Sequence, residues 1–454
     1  MDVFGSSGTR GVANEEITPT FALQVAATAG AVWDVDRVAI ARDTRNTGPM
    51  LEHAATSGLQ SVGTDVDRLG VLPTPGAQAY ARRESVPVVM ITASHNPPEY
   101  NGIKLIGPDG IELSVSELEA VEEAFLADGV ESTSWDDVGQ ERRIDDAADR
   151  YVEGVLEAVD RGRIADADLT VAIDPGHGAA ASTSPELFRR LGCRVLTINA
   201  QPDGRFPGRN PEPVERNLGD LGRLVATSDA DVGIAHDGDG DRAIFFAEDG
   251  SYVEGDAALA ALASAELSAG DTTVAAVNVS QRLVDVCNDT DAILELTPIG
   301  STYITSRIQQ LRAEGVSVPI AGEGNGGIYF PEYSLARDGA YIGARFLELV
   351  AERPASEVIA PFGGYHNVRR KLTYASDAER TAMLEAVERV AEESEASLNA
   401  TDGVRLNYDD GWVLARPSGT EPVVRIYAES REERRAEALA DRLYDAANEA
   451  HRSA

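Results

Sequence analysis

Short apolar runs alternate with helical patterns along most of the chain. Apolar runs at 38–41 and 86–92 flank a helical pattern at 50–61. The same alternation recurs twice, with strands predicted at 169–173, 194–198, 273–277 and 292–296 and helices at 185–191 and 281–287. Continuous Val, Ile, Leu and Ala in these runs indicates strands buried on both faces, as in mixed or parallel α/β sheets. We therefore expect three successive α/β units of about 100 residues each.

The pattern changes near residues 351–364, which are rich in Pro and Gly and which we interpret as a linker. Beyond it, strands are predicted at 368–374, 411–415 and 423–428, and helices at 378–391 and 432–449. These elements predict a small α+β domain. The expected fold class is three similar mixed α/β sheet domains plus a smaller C-terminal α+β domain, with boundaries at 1–146, 147–252, 253–358 and 359–454.

A first candidate loop, residues 92–104, follows a buried strand and contains two prolines and an Asn-Gly pair. It presents Ser94 beside His95, with Lys104 ten residues further on. A serine at a strand end can act as a nucleophile or phosphoryl carrier, or it can simply cap the next turn. Lys104 favours chemistry, because it is one of only two lysines in the chain and an amine can exchange a proton where arginine cannot.

A second loop, residues 237–242, lies between two apolar runs and reads Asp-Gly-Asp-Gly-Asp-Arg. Its carboxylates Asp237, Asp239 and Asp241 can converge if the loop curls around a cation, and hard oxygen ligands suit Mg²⁺. An EF-hand is excluded because Arg242 stands where that loop needs glycine. The remaining alternative is a solvated acidic turn.

Two further loops carry polar side chains among glycines or hydroxyls. In the first, residues 322–327, Glu323 and Asn325 alternate with glycines and can bind sugar hydroxyls. A simple Gly-rich turn is the alternative. In the second, residues 416–422, an arginine, two hydroxyls and backbone N–H groups can form an anion cradle. Its alternative is a surface turn.

The amino-acid composition indicates which binding partners and which cellular compartment the protein could have. With 76 acidic and 40 basic residues the net charge is −36, which argues against binding nucleic acid or anionic membranes. Low lysine with high Asp and Glu is typical of a salt-rich cytoplasm, although a GC-biased acidic protein is the alternative. The two cysteines lack a CxxC pattern, so we expect free thiols in a reducing compartment. The sequence predicts neither a signal peptide nor a membrane span, and hence a cytoplasmic protein.

Taken together, the four loops resemble the α-D-phosphohexomutases, in the order and spacing of that family. The opening segment 4–11, Phe-Gly-Ser-Ser-Gly-Thr-Arg-Gly, and the segment 41–45, Ala-Arg-Asp-Thr-Arg, are also similar to it. The resemblance covers nearly the whole chain. It implies four domains around a central cleft, the fourth a mobile lid, and an intramolecular phosphotransferase that interconverts hexose or hexosamine 1-phosphate and 6-phosphate.

The resemblance also implies roles for individual residues. Ser94 would be phosphorylated, and one Mg²⁺ per chain would bind its phosphate and the three aspartates. Hexose 1,6-bisphosphate would be intermediate and activator. Independently of the resemblance, the needs of phosphoryl transfer suggest that Lys104, with a pKa lowered by nearby cations, would exchange a proton with the sugar hydroxyl, and that Mg²⁺ and Arg10 would neutralise the transferring group. Arg242 would lie in the site, Glu323 and Asn325 would hold sugar hydroxyls, and Arg416, Ser418, Gly419 and Thr420 would hold the distal phosphate. His95 would either hydrogen-bond the phosphoserine or serve a purely structural role.

This sequence departs from the commonest bacterial pattern, Gly-Glu-x-Ser-Gly-His, in its third loop, where Asn325 and Gly327 replace the serine and histidine. An imidazole acid/base is therefore absent there. A serine-dependent, metal-assisted sugar-phosphate phosphatase is the rival activity, and a non-catalytic sugar-phosphate sensor is a second rival. The substrate is left open between phosphomannomutase/phosphoglucomutase and phosphoglucosamine mutase, and the expected assembly is a monomer or homodimer.

Overall fold

The computed structural model describes residues 3–5, 8–127, 129–418 and 421–453. The chain divides into two compact units. The first contains residues up to 258 together with 325–359, and the second contains 259–324 and 360 onward. No helix among the described residues is long and apolar enough to cross a membrane.

The first segment folds around a six-stranded sheet of order β1-β5-β4-β2-β3-β6. Strands β4, β2, β3 and β6 are parallel, and β1 and β5 are antiparallel to their neighbours. The elements are β1 Thr9–Val12, α1 Pro19–Trp33, β2 Arg37–Arg42, α2 Gly48–Ser61, β3 Asp65–Val71, α3 Thr74–Glu84, β4 Val88–Ile91, β5 Tyr100–Ile106, α4 Val115–Leu126 and β6 Glu141–Arg143.

Local sequence explains where these helices begin. Thr18 caps α1 by accepting from the backbone N–H of Phe21. Ser114 and Glu117 form a reciprocal capping box at the start of α4. All four residues of β4 are buried, as its continuous apolar run predicts.

The second segment contains a five-stranded mixed sheet of order β11-β10-β9-β7-β8. Its strands β8, β7 and β9 are parallel, and β10 is antiparallel to β9. The elements are α5 Ala147–Glu157, α6 Arg161–Asp166, β7 Thr170–Asp174, α7 Ser184–Arg190, β8 Arg194–Thr197, α8 Gly219–Thr227, β9 Val232–Ala235, β10 Ile244–Ala247 and β11 Tyr252–Val253.

The third segment is divided between the units. In the second unit, β12 lies between β13 and β14 and is parallel to both; in the first unit, β15 and β16 are antiparallel. The elements are α9 Gly255–Glu266, β12 Thr272–Ala276, α10 Gln281–Thr290, β13 Ile293–Thr297, α11 Ser301–Ala313, β14 Ala321–Glu323, β15 Gly327–Phe330, β16 Ser334–Arg337, α12 Gly339–Val350 and α13 Ala355–Ile359.

The last segment is an antiparallel sheet of order β17-β21-β20-β19-β18 packed against two helices. The elements are β17 His366–Thr373, α14 Asp377–Glu392, β18 Ser397–Asn399, β19 Val404–Tyr408, β20 Gly411–Pro417, β21 Val423–Ser430 and α15 Glu433–Ser453. Mixed α/β sheets in three segments and an antiparallel sheet in the fourth confirm the predicted fold class.

The predicted linker at 351–364 is wrong in part. Helix α13 and a turn of 3₁₀ helix, Ala360–Phe362, occupy most of it. Ala355 and Val358 are buried there, and the carboxylate of Glu248 accepts from the N–H and the hydroxyl of Ser356. Pro and Gly marked the ends of this segment, but the short apolar face between them packs on the first unit.

Candidate active site

Ser94 stands just past β4 in a backbone conformation that non-glycine residues rarely adopt. Its φ is +49°, in the left-handed region, and its side chain is buried. The Ser94 N–H donates to Thr92 Oγ1 at 2.9 Å. A strained residue is retained only where the surrounding structure holds it, and such residues cluster at functional sites.

Arg45 stabilises the serine loop through hydrogen bonds to its backbone. Its side chain is fully buried and forms a 3.0 Å ion pair with the equally buried Asp43. Its guanidinium donates to four backbone carbonyls of the loop, those of Ser94, Asn96, Pro97 and Tyr100. Burial raises the pKa of Asp43 even though the Arg45 charge opposes the change. The loop is thus built around one buried cation.

The aspartate loop lies between the antiparallel strands β9 and β10 and meets the serine loop closely. A Cβ on Gly238 would lie 2.5 Å from the Ser94 carbonyl oxygen, so only glycine permits this approach. Gly240 has a φ of +74°. The two glycines therefore let the loop curl, as the alternation of Asp and Gly predicted.

The three aspartates converge and are all buried, with ligand atoms within 4.8 Å of one another. Each uses its Oδ2 within the protein. Asp237 accepts from Ser94 Oγ at 2.9 Å, Asp239 from Thr74 Oγ1 at 2.7 Å, and Asp241 from Arg337 Nη2 at 2.5 Å.

The other oxygen, Oδ1, of each aspartate is buried and has no hydrogen-bond partner within the described part of the chain. Carboxylate oxygens buried together without hydrogen bonds are costly unless a cation binds them. Hard anionic oxygens at this spacing fit Mg²⁺.

The electrostatics of the aspartates diverge. Burial, together with the charges of Asp241 and Asp239, holds the pKa of Asp237 well above its usual range. Burial acts the same way on Asp239, but the Lys104 charge and the Thr74 hydrogen bond outweigh it and lower the pKa of that carboxyl.

Lys104 is fully buried among carboxylates. Its Nζ lies 3.1 Å from Asp239, 3.3 Å from Glu112 and 3.7 Å from Asp241. Burial would lower the pKa of Lys104, but Asp239 and Glu112 outweigh it, so the pKa is raised. The expectation of a lowered pKa is wrong, because the sequence could not show how many carboxylates surround this amine.

His95 and Arg242 lie on the other side of the Ser94 hydroxyl. His95 Nδ1 is 3.3 Å from Ser94 Oγ and 3.1 Å from Arg242 Nη2. Burial and the neighbouring arginine charges lower the pKa of His95 to about 2, so the imidazole is neutral. Because Arg242 only donates, we assign Nδ1 as an acceptor.

Arg242 Nε lies 3.7 Å from Asp237 and 3.8 Å from Asp241. The charge of Arg10 interacts with those of Asp239, Arg242 and Asp241. Arg10 lies in β1, and its Nη1 is 3.5 Å from Asn96 Oδ1 in the serine loop. The structure thus brings together the expected residues Ser94, His95, Lys104, Asp237, Asp239, Asp241 and Arg242, with Arg10 at the edge of the loop.

Three residues of this site were missed as candidates from the sequence. Arg337 ends β16 and bonds Asp241, Glu112 bonds Lys104, and Arg45 holds the serine loop. Glu112 and Arg337 stand in no recognisable motif. Arg45 lay within a segment that resembled the family, but its role depends on folding.

The third loop is more structured than expected. Glu323 is the last residue of β14, in the second unit, and is partly exposed. Asn325 belongs to the first unit, is exposed, and accepts from the Gly327 N–H at 2.9 Å through its side-chain oxygen.

The fourth loop lies in the second unit. Arg416 and Pro417 belong to β20, and Arg416 Nε lies 3.1 Å from Asp402. A depression of about 550 Å³ opens beside them, lined by Tyr374, Arg380, Asp402, Arg416, Pro417, Ser418, Glu421 and Pro422. Gly419 and Thr420 lie outside the described residues. Arg380 adds a second guanidinium that the motif did not reveal.

Comparison with known proteins covers the whole chain. Family models described as "Phosphoglucomutase/phosphomannomutase, alpha/beta/alpha domain" I, II and III match residues 1–130, 149–250 and 254–363, and the corresponding "C-terminal domain" matches 369–446. A protein of Thermococcus kodakarensis named phosphoglucomutase/phosphomannomutase is 39% identical over 444 residues, 96% of both chains. A probable phosphoglucosamine mutase of Methanococcoides burtonii is 39% identical over 447 residues, 98% of both. A phosphoglucomutase/phosphomannomutase family protein of Burkholderia thailandensis has a solved structure with a TM-score of 0.86 and 28% identity, covering 99% of this chain and 97% of its own.

Proposed function

We propose, for a chain that belongs to the α-D-phosphohexomutase family, that Ser94 carries the phosphoryl group exchanged between the 1- and 6-positions of a hexose. The protein is an enzyme of the isomerase class, an intramolecular phosphotransferase. The relatives carry mutase names, which favours a mutase over the phosphatase alternative. The observation that carries the proposal is the buried Ser94 hydroxyl, bonded to an aspartate of a triad whose three Oδ1 atoms lack hydrogen-bond partners within the described residues.

The reaction would proceed in two transfers. In the first, the bond from Ser94 Oγ to phosphorus breaks and a bond to the sugar O6 forms, giving a hexose 1,6-bisphosphate. In the second, after the bisphosphate turns over in the site, the bond from O1 to phosphorus breaks and the C1 phosphate moves to Ser94 Oγ. O1 takes up a proton that replaces the one O6 lost in the first transfer, and hexose 6-phosphate remains. Both transfers need in-line positioning and neutralisation of charge more than covalent chemistry by the protein.

The residues around Ser94 supply that charge. Asp237, Asp239 and Asp241 would hold Mg²⁺, together with an oxygen of the phosphoserine, and the bound ion would neutralise the transferring group. Lys104, held protonated by its carboxylates, would act as a fixed cation and hydrogen-bond donor. Neutral His95 would accept from Arg242 and orient it beside the phosphate.

Residues of the remaining loops would bind the rest of the substrate. Glu323 and Asn325 would contact sugar hydroxyls, Arg10 the transferring phosphate, and Arg416, Ser418, Gly419 and Thr420 the phosphate that stays in place. The four domains 1–146, 147–252, 253–358 and 359–454 would each contribute one loop. The hexose is glucose, mannose or glucosamine, and kcat/KM on the three 1-phosphates in one preparation decides among them.

We also propose a cytoplasmic, salt-adapted protein that is a monomer or homodimer. The described cysteines, Cys193 and Cys287, are both free and buried, and burial raises both thiol pKa values. Such thiols persist in a reducing compartment.

Conversion of glucose 1-phosphate to glucose 6-phosphate tests the function. Ser94→Ala should lose turnover while keeping the wild-type melting profile, and Ser116→Ala, an exposed serine in α4, should match the wild type. Activity should depend on a trace of hexose 1,6-bisphosphate and release little free phosphate. Full activity of Ser94→Ala, or stoichiometric release of phosphate, would contradict the proposal.

A further inference from the structure

A second group of arginines surrounds a cavity in the first α/β segment. The cavity measures about 420 Å³ and is lined by Arg42, Glu52, Arg68, Gly70, Val71, Glu141, Arg142 and Arg143. Half of its lining residues are therefore arginines, in a chain whose net charge is −36. None of these residues has a role in the phosphoryl transfer described above.

Buried carboxylates bind three of these arginines and fix their positions. The two oxygens of Glu52 bind Arg42 Nε at 2.8 Å and Arg68 Nε at 3.2 Å. On the neighbouring side, both oxygens of the buried Asp67 accept from Nε and Nη2 of Arg142. Planar guanidinium groups fixed along one edge present their remaining N–H groups in a defined direction.

Several of those N–H groups are unused. Within the described residues, Nη2 of Arg42 and Nη1 of Arg142 have no hydrogen-bond partner, whereas Nη1 of Arg42 donates to the Asp43 carbonyl. In the described part of the chain, Arg143 has only an ion pair at 2.6 Å with Asp145, which is itself exposed and outside the cavity. Arg68 also lies 3.6 Å from Glu141, the second carboxylate of the lining, so four guanidinium groups face two carboxylates there.

Strand register places two of these charges side by side. Arg68 in β3 pairs with Arg143 in the parallel strand β6. Like charges at paired positions repel each other, and an anion bound between them would relieve that repulsion. The cavity also lies near the carboxyl ends of β2, β3 and β6, the edge at which open α/β sheets bind ligands.

From these observations we propose that the cavity lined by Arg42, Arg68, Arg142 and Arg143 is an anion site for a phosphate-type oxyanion, separate from the catalytic centre. The oxyanion is either free inorganic phosphate or the phosphate of a nucleotide, because the same guanidinium groups recognise both. The cavity is several times larger than one phosphate group, so it has room for either.

Calorimetric titration of the full chain tests the site. Inorganic phosphate and ADP are titrated separately, at constant ionic strength set with KCl. Arg143→Glu is the test variant, because its side chain is 84% exposed and carries no fold-determining contact. Arg83→Glu, at a 59% exposed arginine of α3, makes the same charge change elsewhere.

The proposal predicts that Arg143→Glu binds at least one probe about tenfold more weakly, the equivalent of one charge-assisted hydrogen bond, or binds one equivalent less. Arg83→Glu should match the wild type. Mutase activity without added anion should be equal in all three proteins, which separates this site from the catalytic phosphate sites. Loss with phosphate alone identifies free phosphate, and stronger loss with ADP identifies a nucleotide. Equal binding by all three proteins, or equal weakening by both variants, overturns the proposal.

Discussion

Replacing Arg45 tests whether one buried cation organises the serine loop. In Arg45→Gln, Asp43 loses its ion-pair partner while remaining fully buried. Breaking a buried pair from one side costs about 3–5 kcal/mol, because an uncompensated charge stays inside. For a unit of about 290 residues, with an unfolding entropy of about 2.1 cal/mol/K per residue, that corresponds to a fall of about 5 to 8 °C in melting temperature.

Activity should fall as well, because four loop carbonyls lose their donor and the left-handed Ser94 loses its support. A displacement of about 1 Å at the nucleophile can cost about 100-fold in rate. The assay pairs calorimetric melting with mutase kinetics. Unfolding is resolved by unit, since a chain with two units need not unfold in one step.

A double-mutant cycle separates the charge effect from lost packing. Asp43→Asn combined with Arg45→Gln removes both charges and should recover about 1–3 kcal/mol relative to the sum of the single changes. Arg83→Gln, at an exposed arginine, should change stability by less than about 0.5 kcal/mol. A loss below about 1 kcal/mol in Arg45→Gln, or strict additivity in the cycle, would refute this reasoning.

Three further predictions concern charges in the two units. Because folding raises the pKa of Asp237, its carboxylate destabilises the metal-free protein as the pH rises above about 3.9. Asp237→Asn should therefore melt at a higher temperature than the wild type in EDTA at pH 7.5, and its melting temperature should rise less on addition of Mg²⁺. A melting temperature below that of the wild type in EDTA would contradict this. The protonated Lys104 stabilises the fold below about pH 10.4, and this stabilisation is lost only as the pH passes the raised pKa of the folded state. The pH–rate profile should therefore show no change of slope from Lys104 below about pH 10. A change of slope near pH 8 that disappears in Lys104→Met would disprove this. Glu429 is buried in the second unit, where it accepts from Ser280 Oγ and Trp412 Nε1 and lies 3.5 Å from the buried Arg282. Glu429→Leu deprives that guanidinium of this counter-charge and should destabilise the second unit by about 3–5 kcal/mol without changing the melting of the first; an unchanged second transition would argue against this network.

The sequence predicted the buried strands and the loops between them because their periodicity is local. Val88–Ile91 and Val232–Ala235 lie close to the predicted runs, and the aspartate triplet converges as its alternation with glycine indicated. Each of these features depends on residues within one short segment. For such features, the residues that cause the local structure are also the residues that form the sequence pattern.

Features that depend on distant partners were not predictable in this way. Arg337 reaches Asp241 from 96 residues away, and no motif marks it. The pKa of Lys104 was assigned the wrong direction because Glu112 and Asp239 come beside it only on folding. The start of the predicted loop at 322–327 is also displaced. Glu323 ends strand β14, which pairs with β12, a strand distant in the sequence.

The phosphorylation state of Ser94 during turnover tests the central claim most directly. Peptide mass spectrometry of the isolated enzyme, before and after rapid mixing with substoichiometric ³²P-labelled hexose 1-phosphate, locates the phosphate. We predict a phosphorylated Ser94 peptide at the start, transient loss of its unlabelled phosphate to the sugar, and its return carrying label. A Ser94 peptide that stays unmodified while the sugar phosphate is converted, or label on another residue, would contradict the account.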